Sequence, residues 1–293
     1  MRLGVRELGR RCFDAALPWQ VQRARLDQAT RTSLLPRGIA ITGQAIGGVR
    51  AEVVSARTAG PARTVVHFHG GGYCVGSART PRSWAARLSL TAGCRVVLPE
   101  YRLAPEYPFP AAIDDARAVM AALADETKPG ALVVSGDSAG GGLALALALS
   151  MRDAGEELPA GIILLSPWLD LGRDRRQFPE LVRRDVQINP DWLDACARAY
   201  ADPASWTNPL VSPLLAEHGG LPPLLIQAGA HELLAPDAEL LADSAAAAGV
   251  DVTYTRWPRM WHDFMLEAGL IAAADSAVAQ AAWFVSKATA SPS

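Results

Sequence analysis

The chain is poor in cysteine and carries no excess of charge of one sign. Its four cysteines, Cys12, Cys74, Cys94 and Cys196, show no CxxC spacing, which argues against a zinc site or a disulfide framework in 293 residues. The formal net charge is -2, so no strong field would draw in nucleic acid or an anionic membrane surface. These absences favour free thiols and a small neutral partner.

The chain also lacks a long hydrophobic run. Its longest apolar stretch, from Leu143 to Leu149, is far shorter than the roughly 20 residues that cross a bilayer. The amino-terminal residues contain arginines but no hydrophobic region followed by a cleavage site, as a secretory signal would. We interpret the arginine excess of residues 1–37 as a solvated helix face rather than a membrane-surface helix. A cytoplasmic protein without integral membrane association is therefore expected.

Short apolar runs and alanine-rich segments alternate along most of the chain. Half of the residues are hydrophobic, which is enough for a sizeable core. This alternation predicts a mostly parallel sheet covered by helices on both faces, in a single α/β domain over residues 1–293. The predicted strands cover residues 64–68, 95–98, 131–135, 162–166, 224–227 and 252–257, after an antiparallel hairpin of 38–46 and 49–57; the predicted helices cover 111–124, 142–152 and 236–248.

Two stretches do not follow this alternation. They are residues 1–37 and residues 172–213, and the second carries many charges together with Trp192 and Trp206. We interpret both as segments of a small helical cap over the functional site.

A serine lies in a glycine-rich turn between a predicted strand and a predicted helix. Gly136-Asp137-Ser138-Ala139-Gly140 matches the GxSxG nucleophile elbow in the setting that this motif requires. Such a sharp turn exposes the hydroxyl and directs it towards a base, and the helix that follows favours a developing negative charge. The alternative is a phosphate-binding turn, but the chain contains neither GxxxxGK[ST] nor GxGxxG. Ser138 is therefore the predicted nucleophile.

A second glycine run follows the strand over residues 64–68. His69 is followed by three glycines and Tyr73, and backbone N–H groups beside glycine can closely approach a developing oxyanion. We predict the oxyanion donors to be Gly71, Gly72 and Ala139. His69 is interpreted as bracing this loop. A metal site with His67 is conceivable, but no third ligand is evident.

The general base is predicted to be His262, because it follows the last predicted strand. After a nucleophile elbow of this kind, the acid comes next along the chain and the base comes last. The acid that orients its imidazole is expected in a loop after an earlier strand. Glu232 is the preferred candidate, after the strand over residues 224–227. Asp170 is the main rival, one strand earlier, and Asp237 and Asp263 remain open.

Taken together, His69 to Gly72, Tyr101 to Glu106 with Phe109-Pro-Ala-Ala, and Gly136 to Gly141 resemble the bacterial hormone-sensitive-lipase-like esterases. The resemblance runs from about residue 38 to the final helix. It implies an α/β-hydrolase fold with an eight-stranded sheet, an amino-terminal cap, a Ser, Asp or Glu, His triad, and carboxylesterase activity without a cofactor. Many members carry Asp-Pro-Leu where this chain has Glu232-Leu233-Leu234, so it looks like the branch that uses glutamate.

The substrate is expected to be a small ester, because cap segments suggest a bounded pocket. Short to medium acyl chains are favoured, with lactones as an alternative, and the candidate substrate-binding residues beside the catalytic loops are Tyr73, Trp168 and Trp261. Cys74 is predicted to border the site, with buried packing as the alternative. A noncatalytic binding protein and an amide hydrolase are the rival classes, since fold alone does not separate them. The oligomeric state, a homodimer included, stays open.

Overall fold

An eight-stranded sheet forms the centre of the protein. A computed structural model describes residues 2–31, 34–57 and 63–290. The strands follow the order β1-β2-β4-β3-β5-β6-β7-β8, with β1 and β2 forming an antiparallel hairpin and β3 to β8 running parallel. This confirms the predicted α/β-hydrolase fold. The strands are β1 Ile39–Ile46, β2 Val49–Ala56, β3 Thr64–Phe68, β4 Arg95–Pro99, β5 Leu132–Asp137, β6 Gly161–Leu165, β7 Leu224–Gly229 and β8 Val252–Trp257.

Helices cover the sheet and extend beyond it. Helix α5 begins at Ala139, three residues before its predicted start, because its glycines allow close packing: a Cβ on Gly140 would lie 2.0 Å from the Phe68 carbonyl oxygen. No helix in the described ranges is long and apolar enough to cross a membrane. The helices are α1 Arg2–Cys12, α2 Trp19–Thr30, α3 Arg82–Ala92, α4 Ala111–Glu126, α5 Ala139–Asp153, α6 Pro179–Arg184, α7 Pro190–Tyr200, α8 Ala235–Ala247 and α9 Ala272–Ala288.

The core lies on both faces of the sheet. Every residue of β3, β5, β6 and β7 is buried, as expected for parallel strands covered on two sides. Apolar side chains of α3 and α9 pack together on one face, and those of α4, α5 and α8 pack on the other. These layers place the carboxyl ends of the parallel strands at one edge, where loops carry the functional side chains.

The two stretches outside the alternation contact each other. Gln22 on α2 accepts a hydrogen bond from the indole N–H of Trp192 on α7, at 2.8 Å. The ring of Trp192 also packs against Phe13, with 4.7 Å between ring centroids. The side-chain amide of Asn189 donates to the Phe13 carbonyl oxygen at 3.2 Å. The amino-terminal helices and the α6–α7 segment thus form one packed unit.

Candidate active site

Ser138 lies at a strained turn between β5 and α5. Its φ of 52° is positive, a conformation that a residue with a side chain adopts only when its surroundings enforce it. The Ser138 N–H donates to the Leu165 carbonyl oxygen at 2.9 Å, and its own carbonyl oxygen accepts from the Trp168 N–H at 2.9 Å. These bonds to β6 and the loop that follows it hold the turn in place.

His262 follows β8 and reaches the serine. Its Nε2 lies 3.0 Å from Ser138 Oγ, which is hydrogen-bond distance, and both side chains are almost fully buried. The structure therefore brings the predicted nucleophile and base together. Nδ1 of His262, the nitrogen that an orienting acid would bind, has no hydrogen-bond partner in the described part of the chain.

Glu232 lies fully buried in the loop after β7. Its Oε2 accepts hydrogen bonds from the Ser166 hydroxyl at 2.8 Å and from the Gly229 N–H at 2.9 Å. Its Oε1 has no hydrogen-bond partner among the described residues, and none of the bonds found there joins it to His262. Glu232 and the imidazole thus each keep one buried polar atom unsatisfied.

The rival acids lie in different environments. Asp237 forms a buried ion pair with Arg175, with both guanidinium contacts at 2.7 Å, and also accepts the Asp170 N–H at 3.2 Å. The Asp170 carboxylate pairs with Arg173 at 3.3 Å. Asp263, in contrast, places Oδ2 3.1 Å from Nε2 of the catalytic histidine. The contact is to the nitrogen that faces the serine, whereas an orienting acid would bind the other nitrogen.

The imidazole of His262 and three nearby carboxylates influence one another's pKa values. Burial lowers the pKa of His262, but the negative charges of Asp263, Glu232 and Asp185 outweigh it and bring the pKa to about 9. Burial raises the pKa of Glu232 to about 8, against the attraction of the histidine. Burial likewise raises the pKa of Asp263 to about 6. The site therefore favours an imidazolium more strongly than an exposed histidine would.

The glycine loop after β3 presents free backbone donors. Gly71 and Gly72 have φ of 115° and 61°, values that glycine adopts without strain. Within the described ranges, the N–H groups of these two residues and of Ala139 donate to no protein acceptor. Ala139 begins α5, where the first N–H groups lack intrahelical partners. Three unpaired donors at this loop and helix end could bind an oxyanion.

A buried network below this loop holds it against β5. Asp137 accepts the Gly70 N–H at 2.9 Å through Oδ2, while its Oδ1 lies 2.8 Å from Nε2 of His67. His69 stacks on Tyr101 with ring centroids 4.4 Å apart, and its Nδ1 lies 2.8 Å from the Gly70 carbonyl oxygen. Both histidines are therefore engaged with protein groups around the loop.

A cavity of about 320 Å³ opens beside the glycine loop. Gly71 and Asp263 line it, whereas Ser138 and His262 themselves do not, and the remaining wall is largely apolar. That apolar wall comes mostly from the amino-terminal segment and includes Val5, Leu8, Phe13, Leu26 and Leu34.

The three aromatic residues predicted to bind substrate lie outside this lining. Tyr73 and Trp168 are each 1% exposed, and Trp261 is 6% exposed. Tyr73 stacks on Tyr200 with ring centroids 3.8 Å apart. These rings pack in the core next to the catalytic loops.

Cys74 is fully buried beside another thiol. Its Sγ lies 3.9 Å from the Cys196 carbonyl oxygen. A Cβ on Gly72 would come within 2.5 Å of the Cys196 sulfur. Cys196 on α7 therefore contacts the glycine loop directly, a position that sequence reasoning did not indicate.

Sequence reasoning also missed Ser166 and Asp185. The Ser166 hydroxyl donates to Glu232 and accepts the Asp263 N–H at 3.1 Å, so it links the acid and base loops. Asp185 accepts the N–H groups of Gln187 and Leu233 at 2.9 and 2.8 Å. The position of Ser166 at the end of a buried strand was a usable signal, whereas nothing local marks Asp185.

The chain matches known proteins along most of its length. Residues 65–266 match the family model Abhydrolase_3, described as an α/β-hydrolase fold. An acetyl-hydrolase from Streptomyces hygroscopicus is 38% identical over 247 residues, covering 84% of this chain and 81% of that protein. An esterase from Acinetobacter venetianus is 35% identical over 263 residues, covering 88% of this chain and 86% of that protein.

A solved structure gives the same result. The crystal structure of an esterase from the bacterial hormone-sensitive lipase family superposes with a TM-score of 0.92 at 34% identity, covering 99% of this chain and 98% of that one. Fold, motif order and sequence identity agree. The chain therefore belongs to the hormone-sensitive-lipase-like esterases of the α/β-hydrolase family and is an ester-hydrolysing enzyme of that class.

Proposed function

We propose that the protein hydrolyses short to medium acyl esters with Ser138 as nucleophile, His262 as base and Glu232 as acid. The observation that carries the proposal is the 3.0 Å contact between Ser138 Oγ and His262 Nε2 beside three unpaired backbone donors. A serine paired with a buried imidazole and facing a set of N–H groups is the arrangement that acyl transfer requires.

In the first half of the reaction, Ser138 Oγ attacks the ester carbonyl carbon while His262 takes the hydroxyl proton. The carbonyl oxygen becomes negative and is held by the N–H groups of Gly71, Gly72 and Ala139. His262 then gives its proton to the leaving alcohol, which leaves an acyl-serine. In the second half, His262 takes a proton from water as it attacks the acyl carbon, and returns that proton to Ser138 Oγ as the bond to the acyl group breaks and the acid is released.

Glu232 is the preferred acid because it and His262 each have a buried polar atom without a hydrogen-bond partner among the described residues. Nδ1 of His262 and Oε1 of Glu232 are both buried without a partner, and each unsatisfied buried polar group costs about 1–3 kcal/mol. A hydrogen bond between them would satisfy both atoms and set the tautomer that leaves Nε2 free to accept the serine proton. Ser166, already bound to Oε2, would hold the carboxylate in this orientation.

The size of the cavity supports a small substrate. About 320 Å³ lies at the lower end of the range of roughly 300–1,000 Å³ found for small-molecule sites. We therefore retain short to medium acyl esters as substrates, with lactones as an alternative, and assign the cap role to residues 1–37 and 172–213. A cytoplasmic location, a homodimer and substrate contact by Tyr73, Trp168 or Trp261 remain predictions.

A panel of p-nitrophenyl esters of increasing acyl length, with one lactone and one amide, tests the reaction class. Wild-type protein is expected to prefer the shorter esters, and Ser138→Ala to lose that activity while circular dichroism stays unchanged. Undiminished ester turnover by folded Ser138→Ala would refute the assignment of the nucleophile. Amide turnover above ester turnover would assign the chain to amide hydrolysis instead.

A further inference from the structure

The ionisable side chains that line the cavity beside the glycine loop are all acidic, although Arg87, outside the lining, donates hydrogen bonds to the lining residues Ser83 and Leu34. Three carboxylate residues line it, Asp137, Asp263 and Glu267, and its lining in the described ranges contains no lysine, arginine or histidine. Asp137 is already engaged by His67 and the Gly70 N–H. The other two acids are candidates to meet a bound molecule.

Asp263 contributes a buried carboxylate to the lining of the cavity. Its side chain is only 7% exposed, and Oδ1 has no hydrogen-bond partner among the residues that the structure describes. The other oxygen contacts His262 Nε2 at 3.1 Å. A buried carboxylate oxygen without a partner is costly, so a donor or cation that entered the cavity beside it would be stabilised.

Glu267 contributes a second carboxylate four residues further along the chain. It ends the short 3-10 helix Phe264–Glu267 and lines the cavity together with Leu266 and Leu270. No lysine, arginine or histidine side chain in the described ranges forms an ion pair with it. Burial raises the pKa of Glu267, so a cation in the cavity would stabilise its carboxylate.

The rest of the wall suits an alkylated cation. Val5, Leu8, Leu26 and Leu34 are apolar and surround the same space. A substituted ammonium group places its carbon substituents against such walls and its charge near the carboxylates. A carboxylate on the substrate would instead be repelled by both acids.

We propose that this cavity selects esters that carry a positively charged ammonium group over neutral esters of the same shape. The inference rests on the proposed ester hydrolysis, since it names the substrate class of that same site. It assigns the discrimination to Glu267 and to the free oxygen of Asp263.

Two isosteric substrate pairs test the charge preference on either side of the ester bond. The first pair is butyrylthiocholine and the thioester in which a carbon replaces its charged nitrogen. The second is the p-nitrophenyl ester of γ-trimethylammoniobutyrate and its tert-butyl isostere. Within each pair, shape is kept and only charge changes, so the ratio of kcat/KM values measures the electrostatic contribution.

Wild-type protein is expected to prefer the charged member of at least one pair by about tenfold or more, the effect of one interaction with an ionised group. The ratio should fall towards one in Glu267→Gln, in Asp263→Asn or in both, and decrease with rising salt. Glu217→Gln is the matched control, because Glu217 is exposed and lies outside the cavity lining, and it should keep the wild-type ratio.

A ratio near or below one for both pairs in the wild type, or a ratio unchanged in both variants, would overturn the proposal. Because the test uses ratios, a general loss of activity in a variant does not affect it. Hydrolysis of the neutral isosteres that disappears in Ser138→Ala, without a charge preference, would leave the proposed function intact and reject only the charge selection. Hydrolysis that persists in Ser138→Ala would reject the proposed function itself.

Discussion

Replacing Glu232 and Asp263, two of the three acids that act on His262, tests the catalytic assignment most directly. Glu232→Gln removes a negative charge while keeping the size of the side chain, and its amide N–H groups can donate to Nδ1 and favour the wrong tautomer of the histidine. We expect kcat to fall by roughly 10³- to 10⁴-fold, the loss typical when an acid that orients a catalytic imidazole becomes an amide. KM should change little, because Glu232 is fully buried and has no surface to offer a substrate.

Asp263→Asn should shift the pH profile instead. At 3.1 Å and an effective dielectric constant of about 20, a carboxylate and an imidazolium attract each other by about 5 kcal/mol. Burial of the charges offsets much of this, so we expect the pKa of His262 to fall from about 9 by at least about one unit, equivalent to about 1.4 kcal/mol. Because His262 acts as a base only when neutral, activity is lost as pH falls below its pKa. The acid limb of kcat/KM should therefore move to lower pH in the variant.

Both variants are assayed with p-nitrophenyl butyrate from about pH 6 to pH 10, with a phosphonate inhibitor titrating the reactive serine. Asp170→Asn is the control, because Asp170 pairs with Arg173 away from the histidine, and it should keep near-wild-type kcat. A severe loss of kcat in Asp263→Asn, with at least about a tenth of wild-type kcat retained in Glu232→Gln, would show that Asp263 is the acid and our reasoning wrong.

Three further predictions concern residues that support the site. Asp237→Asn should destabilise the protein by about 3–5 kcal/mol in urea unfolding, because it leaves the Arg175 guanidinium buried without its partner; a loss below about 1 kcal/mol would contradict this. Ser166→Ala should lower kcat by about tenfold with KM unchanged, since its hydroxyl links the acid and base loops; unchanged kcat would argue against that link. Asp185→Asn should move the acid limb of kcat/KM to lower pH, because the negative charge of Asp185 raises the pKa of His262; an unmoved limb would count against it.

Much of the fold could be read from local patterns. Apolar runs bounded by turn residues predicted β3 to β8, and the Gly47-Gly48 turn predicted the opening hairpin. The start of α5 was placed too late because helix propensity counts against glycine, whereas here the glycines let the helix pack closely on β3. At the start of α5, tertiary packing therefore outweighs the low helix propensity of glycine.

The serine and the glycine loop were also predictable, because each motif encodes a local backbone geometry, and the histidine was predictable from its place after the last strand. The sequence by itself determined the class of fold, the succession of its strands along the chain, and the positions of Ser138 and His262. Only the tertiary structure decided which acids surround the imidazole, that Trp168 and Trp261 are buried, and that Asp263 and Glu267 line the cavity. The physical reason is distance along the chain: periodicity and turn chemistry act over a few residues, whereas hydrogen bonds, ion pairs and cavity walls join segments that meet only when the sheet and its covering helices assemble.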